Sequence, residues 1–261
     1  QPPRHPELAW PSLYAAVALT TLATLVLELA LTRIFSVVFY YHFAFLAISI
    51  ALFGMGAGGV FSYVVSGWKG KLFHKLGLLS IANSLLVILA LTVVLVQKEE
   101  LGNWRLALVY FATALPFFVS GTILSLAIAE TVERVDRVYF YDLLGAGLGC
   151  LLLVPFLNGF GGPNTVIVTA AIYAASAAIW YSLAGTVRGR AASVALALGL
   201  LVLLGYNARS RMIDVKYAKG RELHNEQFVR WNSFSRIAVA PDKDSGAPSI
   251  IIDADAATAI A

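Results

Sequence analysis

The sequence predicts an all-α membrane protein, a polytopic bundle of about seven transmembrane helices with a short extramembrane β-hairpin tail. Three observations lead to this prediction: 59% of the 261 residues are hydrophobic, only 13% are charged, and the mean hydropathy is +0.78. Because an ordinary soluble domain carries about a quarter charged residues, too few polar side chains remain here to cover a surface in water. The composition therefore excludes an ordinary soluble enzyme.

Seven apolar stretches are each long enough to cross a hydrocarbon core of about 30 Å. Backbone groups inside lipid must be hydrogen-bonded within the segment, and the sequence lacks the alternating pattern of an outer-membrane barrel, so helices are predicted. The predicted spans are 13–37, 43–66, 76–97, 106–129, 141–158, 163–185 and 191–207. The chain thus divides into a polar N-terminal segment (1–12), a transmembrane helical bundle (13–207) and an extramembrane tail (208–261).

Three charged residues form the candidate intramembrane polar site: Glu28, Arg33 and Asp142. A carboxylate inside a span costs about a few kcal/mol unless it is protonated, paired or hydrated, so Glu28 is a functional candidate, either as an interhelical clamp or as a proton or cation site. Arg33 lies roughly 140° around the helix from Glu28, so we expect it to reach the interface or another helix. We expect Asp142 at the first turn of span five, as a cap or in a salt bridge. In span three, Asn83 is predicted to form a packing hydrogen bond.

Small residues mark positions where helices approach each other closely. The predicted packing positions are Gly54, Gly56 and Gly58 in span two, and Gly145, Gly147 and Gly149 in span five. Close packing is the favoured interpretation, and a substrate path between broken helices is the alternative.

The string 51–59 also imitates a nucleotide-binding loop, which needs a preceding strand and an acid about 20 residues later. Because this string lies inside a span and no acid follows it before Glu99, we exclude a cofactor loop.

The composition also limits cofactors and partners. The single cysteine, Cys150, and four histidines without ligand spacing predict no metal site, and we assign no catalytic residue and no cofactor to the chain. We attribute the net charge of +4 to basic loops and not to nucleic-acid binding. These loops divide almost evenly between the two sides, which leaves the orientation open. The expected partners are the lipid bilayer and either other membrane subunits or further copies of the chain.

The tail becomes polar after residue 207 and contains two β-rich segments, 234–239 and 249–253. The residues of 241–248 between them are typical of a turn. This pattern predicts a hairpin whose open edges need further partners. Asp253 and Asp255 are predicted to share a strand face, with a solvated edge favoured over a ligand site.

Six short motifs follow one another along the chain. They are Leu27–Leu29, Thr32–Ser36, His42–Leu46, Tyr141–Ala146, Trp231–Arg236 and Ile252–Ala256. In their order and position the motifs resemble bacterial membrane-bound spermidine-synthase-like proteins. The resemblance implies a multi-helix part in the bacterial cytoplasmic (inner) membrane, then a β-hairpin region, then a Rossmann-like aminopropyltransferase domain. The nucleotide loop and catalytic aspartate of that domain have no counterpart here, so no catalytic residue is carried over.

Three functional hypotheses follow from these observations. Since the sequence begins with Gln1 and stops in a strand-like segment, we expect it to be part of a longer chain. The first hypothesis is an integral membrane module that anchors or accompanies an aminopropyltransferase-like domain. The second is a structural or accessory subunit that packs within a larger membrane complex. The third is a small-cation or proton-coupled transporter with Glu28 as its ion site.

Overall fold

A computed structural model describes residues 9–98, 102–223, 225–241 and 247–259. Within these ranges seven helices are long and apolar enough to span a membrane. They are α1 (Trp10–Val38), α2 (Phe43–Ser66), α3 (Leu72–Leu95), α4 (Asn103–Glu130), α5 (Val135–Phe160), α6 (Gly162–Leu183) and α7 (Val187–Ser210). The predicted fold class is confirmed, and the chain is a polytopic membrane protein with seven candidate spans.

The helices divide into a central and a peripheral set. α1, α4 and α6 are the most buried, whereas α2, α5 and α7 expose most of their side chains. α1 packs against α2, α5 and α6, while α4 packs against α2 and α3, and α6 packs against α3 and α7. Outward side chains such as Phe53, Leu151 and Val202 are apolar. Helices that are apolar on all sides suit a bundle surrounded by lipid.

Two helices, α5 and α7, extend furthest beyond their predicted spans. α5 begins at Val135 and not at 141, and it continues through Pro155, while α7 covers Val187–Ser210 and not 191–207. Hydropathy detects only the apolar part of a helix, whereas polar end turns extend it into the headgroup region. A proline is tolerated inside a spanning helix because neighbouring groups satisfy the freed carbonyl. These crossings place Trp10 and the tail at opposite ends of the bundle.

The described part of the tail forms two small antiparallel sheets. β1 (Tyr217–Ala218) pairs with β2 (Arg221–Glu222). A four-stranded sheet follows in the order β3 (Phe228–Trp231), β4 (Arg236–Pro241), β5 (Pro248–Ile252) and β6 (Ala256–Ala259). The predicted hairpin corresponds to β4 and β5, and residues 242–246 of its predicted turn lie outside the described residues. A hairpin alone is marginal in water, and here a strand on each side extends it.

The prediction that Asp253 and Asp255 share a strand face is wrong. Both lie between β5 and β6, where Asp253 and Ala254 have φ values of 51° and 56°, in the left-handed region that interrupts a strand. Asp253 Oδ1 accepts a 2.8 Å hydrogen bond from Arg236 N. Asp255 forms a 3.0 Å ion pair with Lys219. The two aspartates therefore close this turn and connect it to the neighbouring hairpin.

Candidate functional site

The charged residues predicted to form one intramembrane site lie apart in the structure. Glu28 is half-buried in α1, and no described side chain forms a hydrogen bond or an ion pair with it. Arg33 donates a 2.6 Å hydrogen bond to the Phe234 carbonyl oxygen in the tail. Asp142 accepts a hydrogen bond from Thr21 Oγ1. Since Thr21 and Arg33 are about 18 Å apart along the axis of α1, the three charged residues do not form a single site.

Asp142 also differs from its predicted position. The acid in the first turn of α5 is Asp136, and Asp142 lies about two turns into the helix. Its partner is the Thr21 hydroxyl of α1, so it neither caps α5 nor pairs with a loop. Tyr14 and Tyr141 stack nearby, with their ring centroids 4.7 Å apart. These contacts join α5 to α1 and give Asp142 a structural role.

The predicted packing glycines fall into two groups. A methyl group at Gly58 would overlap the Phe118 carbonyl oxygen of α4, and one at Gly145 would overlap the Ala18 carbonyl oxygen of α1. At these positions the backbones touch, as close helix packing requires. Another helix lies against Gly54, Gly58, Gly145 and Gly149, whereas nothing lies within 4 Å of an added Cβ at Gly56 or Gly147.

A buried polar network joins four helices near the centre of the bundle. Tyr173 Oη of α6 lies 2.8 Å from Thr24 Oγ1 of α1 and 2.8 Å from Ser120 Oγ of α4. Asn83 of α3 donates to Ser120 Oγ at 2.9 Å. Asn83 was predictable from the sequence, whereas its partners were not, because Ser and Thr hydroxyls commonly bond to carbonyls of their own helix and so leave no sequence pattern. The network fixes how these helices pack against one another.

Trp231 forms an apolar contact between the tail and the bundle. This last residue of β3 is only 7% exposed and lies over the turn between α5 and α6. A methyl group at Gly161 would lie 2.9 Å from Trp231 Cδ1, and one at Gly162 would lie 3.0 Å from the indole ring. Gly161 also has a φ of 82°, which L side chains rarely adopt. The two glycines therefore provide the space that the indole occupies.

A charged cluster lies on the bundle side of the sheet. Arg236 is 1% exposed and forms a bidentate pair with Glu226, with nitrogen–oxygen distances of 2.8 and 2.6 Å. This fork geometry is the strong form of an arginine–carboxylate pair. Burial raises the pKa of nearby Asp214, and the positive charges of Arg236 and Arg211 oppose this rise.

A cavity of about 370 Å³ lies between the bundle and the sheet. The turn between α5 and α6, the end of α7 and strand β3 surround it. Its polar lining consists of Asn158, Asn164, Asn207, Arg211, Asp214 and Arg230. No pattern in the sequence indicates these residues, because they come from the ends of three helices, the segment after α7 and strand β3. This cavity is the candidate binding site of the chain.

The described residues contain no group of three or more His, Cys, Asp or Glu side chains placed to hold a metal ion. No protein family, curated protein or solved structure matches the chain.

Proposed function

We propose that this membrane protein anchors an aminopropyltransferase-like catalytic domain, carried by the same polypeptide or by a partner, and that the tail sheet is its docking surface. The proposal extends the resemblance of Tyr141–Ala146 and Trp231–Arg236 to spermidine-synthase-like proteins, and with it the proposed location in a bacterial cytoplasmic membrane. The observation that carries the proposal is the outer face of the four-stranded sheet, which is largely apolar and is left exposed by the described part of the chain.

The outer face is defined by residues that lie opposite one another in the strand register. They are Phe228, Arg230, Ile237, Val239, Ile250, Ile252, Ala256 and Thr258. Phe228 and Arg230 belong to the edge strand β3 and also border the cavity. Phe228 is 50% exposed, Ile250 38% and Ile252 44%, whereas Trp231 and Ala238 on the other face are buried. A contiguous exposed apolar surface marks an interaction site. Strand β6 adds an open edge to which a further chain can pair.

The tail is held against the bundle by contacts to separate helices. Besides Trp231, the backbone N–H of Lys219 donates to the Val38 carbonyl oxygen of α1 at 2.7 Å. The backbone N–H of Ser233 donates to Asn158 Oδ1 of α5 at 2.9 Å. A domain that covers the outer face would therefore stand at a fixed height above the membrane surface, close to the cavity.

Affinity purification of the tagged full-length protein from its native membranes tests the proposal. The purified sample is supplied with labelled decarboxylated S-adenosylmethionine and putrescine, and the transfer of the aminopropyl group is measured. We expect aminopropyl transfer in the wild-type sample and its loss with Ile250→Asp/Ile252→Asp, because two charges on the outer face oppose docking of an apolar surface.

Lys216→Asp is the matched control, since it introduces an acid at an exposed residue of the same tail outside the outer face. This control should retain transfer, and thermal unfolding should show that the bundle is intact in all three proteins. Absence of transfer in the wild-type sample would contradict the proposal.

The same apolar face also favours the accessory-subunit hypothesis. The same purification distinguishes this hypothesis from the anchoring of a catalytic domain. It predicts that a membrane partner co-purifies with the wild-type protein, that the Ile250→Asp/Ile252→Asp variant loses this partner, and that neither sample transfers an aminopropyl group.

A further inference from the structure

Two arginine residues, one at the end of α7 and one in the edge strand β3, are among the residues that line the cavity between the bundle and the sheet. They are Arg211 and Arg230, and both side chains are exposed. Arg211 donates one long hydrogen bond, 3.4 Å, to the Val229 carbonyl oxygen, and no side chain of the described ranges pairs with Arg230. Since each guanidinium has five donors and no acceptor, most of these donors remain available to a ligand.

Asp214 does not neutralise this lining. It supplies one half-buried carboxyl against the two arginine residues of the lining, and its Oδ1 already accepts a 2.8 Å hydrogen bond from Val215 N. The neighbouring acid, Glu226, is engaged in its bidentate pair with Arg236. A cationic ligand would meet the repulsion of both arginines, so the charges of the cavity favour an anion.

The side-chain oxygens of the three asparagines already accept hydrogen bonds from other groups of the protein. Asn164 Oδ1 accepts from Asn207 Nδ2 at 2.7 Å, and Asn207 Oδ1 accepts from Ile213 N at 2.6 Å. Asn158 Oδ1 accepts from Ser233 N, which leaves the Asn158 amide hydrogens for a further acceptor. The cavity therefore offers more donors than acceptors. A phosphate group, whose oxygens accept hydrogen bonds and carry negative charge, is complementary to it.

The cavity lies at the level of the helix ends, where lipid headgroups are found. Its lining includes exposed residues at the ends of two lipid-facing helices, Asn158 and Phe160 of α5 and Ala208 of α7. Phe234, which is 80% exposed, places an aromatic side chain at the same end of the bundle, as is common at membrane interfaces. We propose that this cavity binds a phosphate group and that the headgroup of an anionic phospholipid presents it.

Lipid binding to the purified full chain in a neutral detergent tests this assignment. Short-chain phosphatidylglycerol should bind at least about tenfold more tightly than the matched diacylglycerol, which lacks the phosphate. Arg211→Gln/Arg230→Gln should weaken phosphatidylglycerol binding by at least about tenfold, because it removes both charge-assisted donors. Arg209→Gln is the matched control, since Arg209 is exposed at the same end of α7 and does not line the cavity. Its affinity should stay within about twofold of wild type.

A second variant keeps the test decisive if the double substitution disturbs folding. Ala208→Phe fills the cavity and retains both arginines, and it should cause a similar loss of binding. Wild-type affinity in either a folded Arg211→Gln/Arg230→Gln or a folded Ala208→Phe protein would overturn the proposal, as would equal binding of phosphatidylglycerol and diacylglycerol.

Inorganic phosphate distinguishes a lipid headgroup from a soluble phosphate as the source of the ligand. If it binds and Ala208→Phe abolishes its binding while phosphatidylglycerol does not bind, the site takes a soluble phosphate and the lipid assignment is wrong.

Discussion

At the scale of single residues, the absence of a side chain at Gly161 lets the tail sheet rest on the bundle. We expect Gly161→Ala to weaken this contact by about 1–3 kcal/mol, because the new methyl group meets Trp231 and the backbone keeps a positive φ. The urea dependence of tryptophan fluorescence measures the loss. Gly159→Ala is the control, since nothing lies within 4 Å of a Cβ there and an alanine changes helix stability by about 1 kcal/mol or less. Equal midpoints for the two variants would contradict this role of Gly161.

Asp214 makes the stability of the tail depend on pH. Burial raises the pKa of Asp214 above its ordinary value of 3.8, so the folded protein binds more protons than the unfolded chain between these two pKa values. The free energy of unfolding therefore falls as the pH rises through this interval and stays lower above it. Asp214→Asn should remove this decrease and make the tail more stable than wild type at neutral pH, while the two proteins converge below the ordinary pKa.

Urea midpoints at about pH 3.5 and about pH 7.5, compared between wild type and variant, measure the effect of Asp214 separately from other carboxylates. Asp136→Asn, which removes an exposed acid in the first turn of α5, is the matched control for the loss of a carboxylate. An unchanged pH dependence in Asp214→Asn would show that the burial of this carboxyl carries no energetic cost.

At the scale of helices, direct contact between backbones holds α2 against α4. Gly58→Ala should destabilise the bundle by at least about 1–3 kcal/mol, because its methyl group would overlap the Phe118 carbonyl oxygen. Gly56→Ala on the same helix is the control and should change the unfolding free energy by less than about 1 kcal/mol, because open space surrounds Gly56. Unfolding in mixed detergent measures both changes, and equal stability of the two variants would contradict this contact.

The positions of the helices could be predicted from the sequence, whereas the contacts that form the sites could not. Long apolar stretches determine where a chain crosses lipid, and α2 covers Phe43–Ser66, the predicted span 43–66. The helix ends were less predictable because the charged first turn of α5 lies outside the apolar stretch. Contacts between distant segments, such as Tyr173 with Thr24 or Trp231 with Gly161, depend on helix packing and have no local signature. For the same reason, no pattern indicated the cavity, whose polar residues become neighbours only in the folded chain.

At the scale of the whole molecule, the two ends of the protein differ in what they expose. The end that carries Trp10 exposes short loops, whereas the other end carries the sheet, the buried Arg236 and the cavity. Because the cavity and the apolar outer face lie on the same side, both proposals assign function to one membrane surface. The side on which the tail lies therefore determines which compartment supplies a docking domain.

The seven crossings predict that residues 69 and 216 lie on opposite sides of the membrane. We expect Lys69→Cys and Lys216→Cys, each in a Cys150→Ser background, to react differently with a membrane-impermeant maleimide in sealed vesicles. One of them should label directly and the other only after permeabilisation, because both lysines are exposed and lie beyond opposite ends of the bundle. Asn103→Cys, at the start of α4, should behave like Lys216→Cys, since an even number of helices separates the two positions. Labelling of Lys69→Cys and Lys216→Cys from the same side would mean that one of the seven helices does not cross. The measurement therefore tests the number of crossings and, in vesicles of known orientation, shows which compartment the cavity and the outer face of the sheet meet.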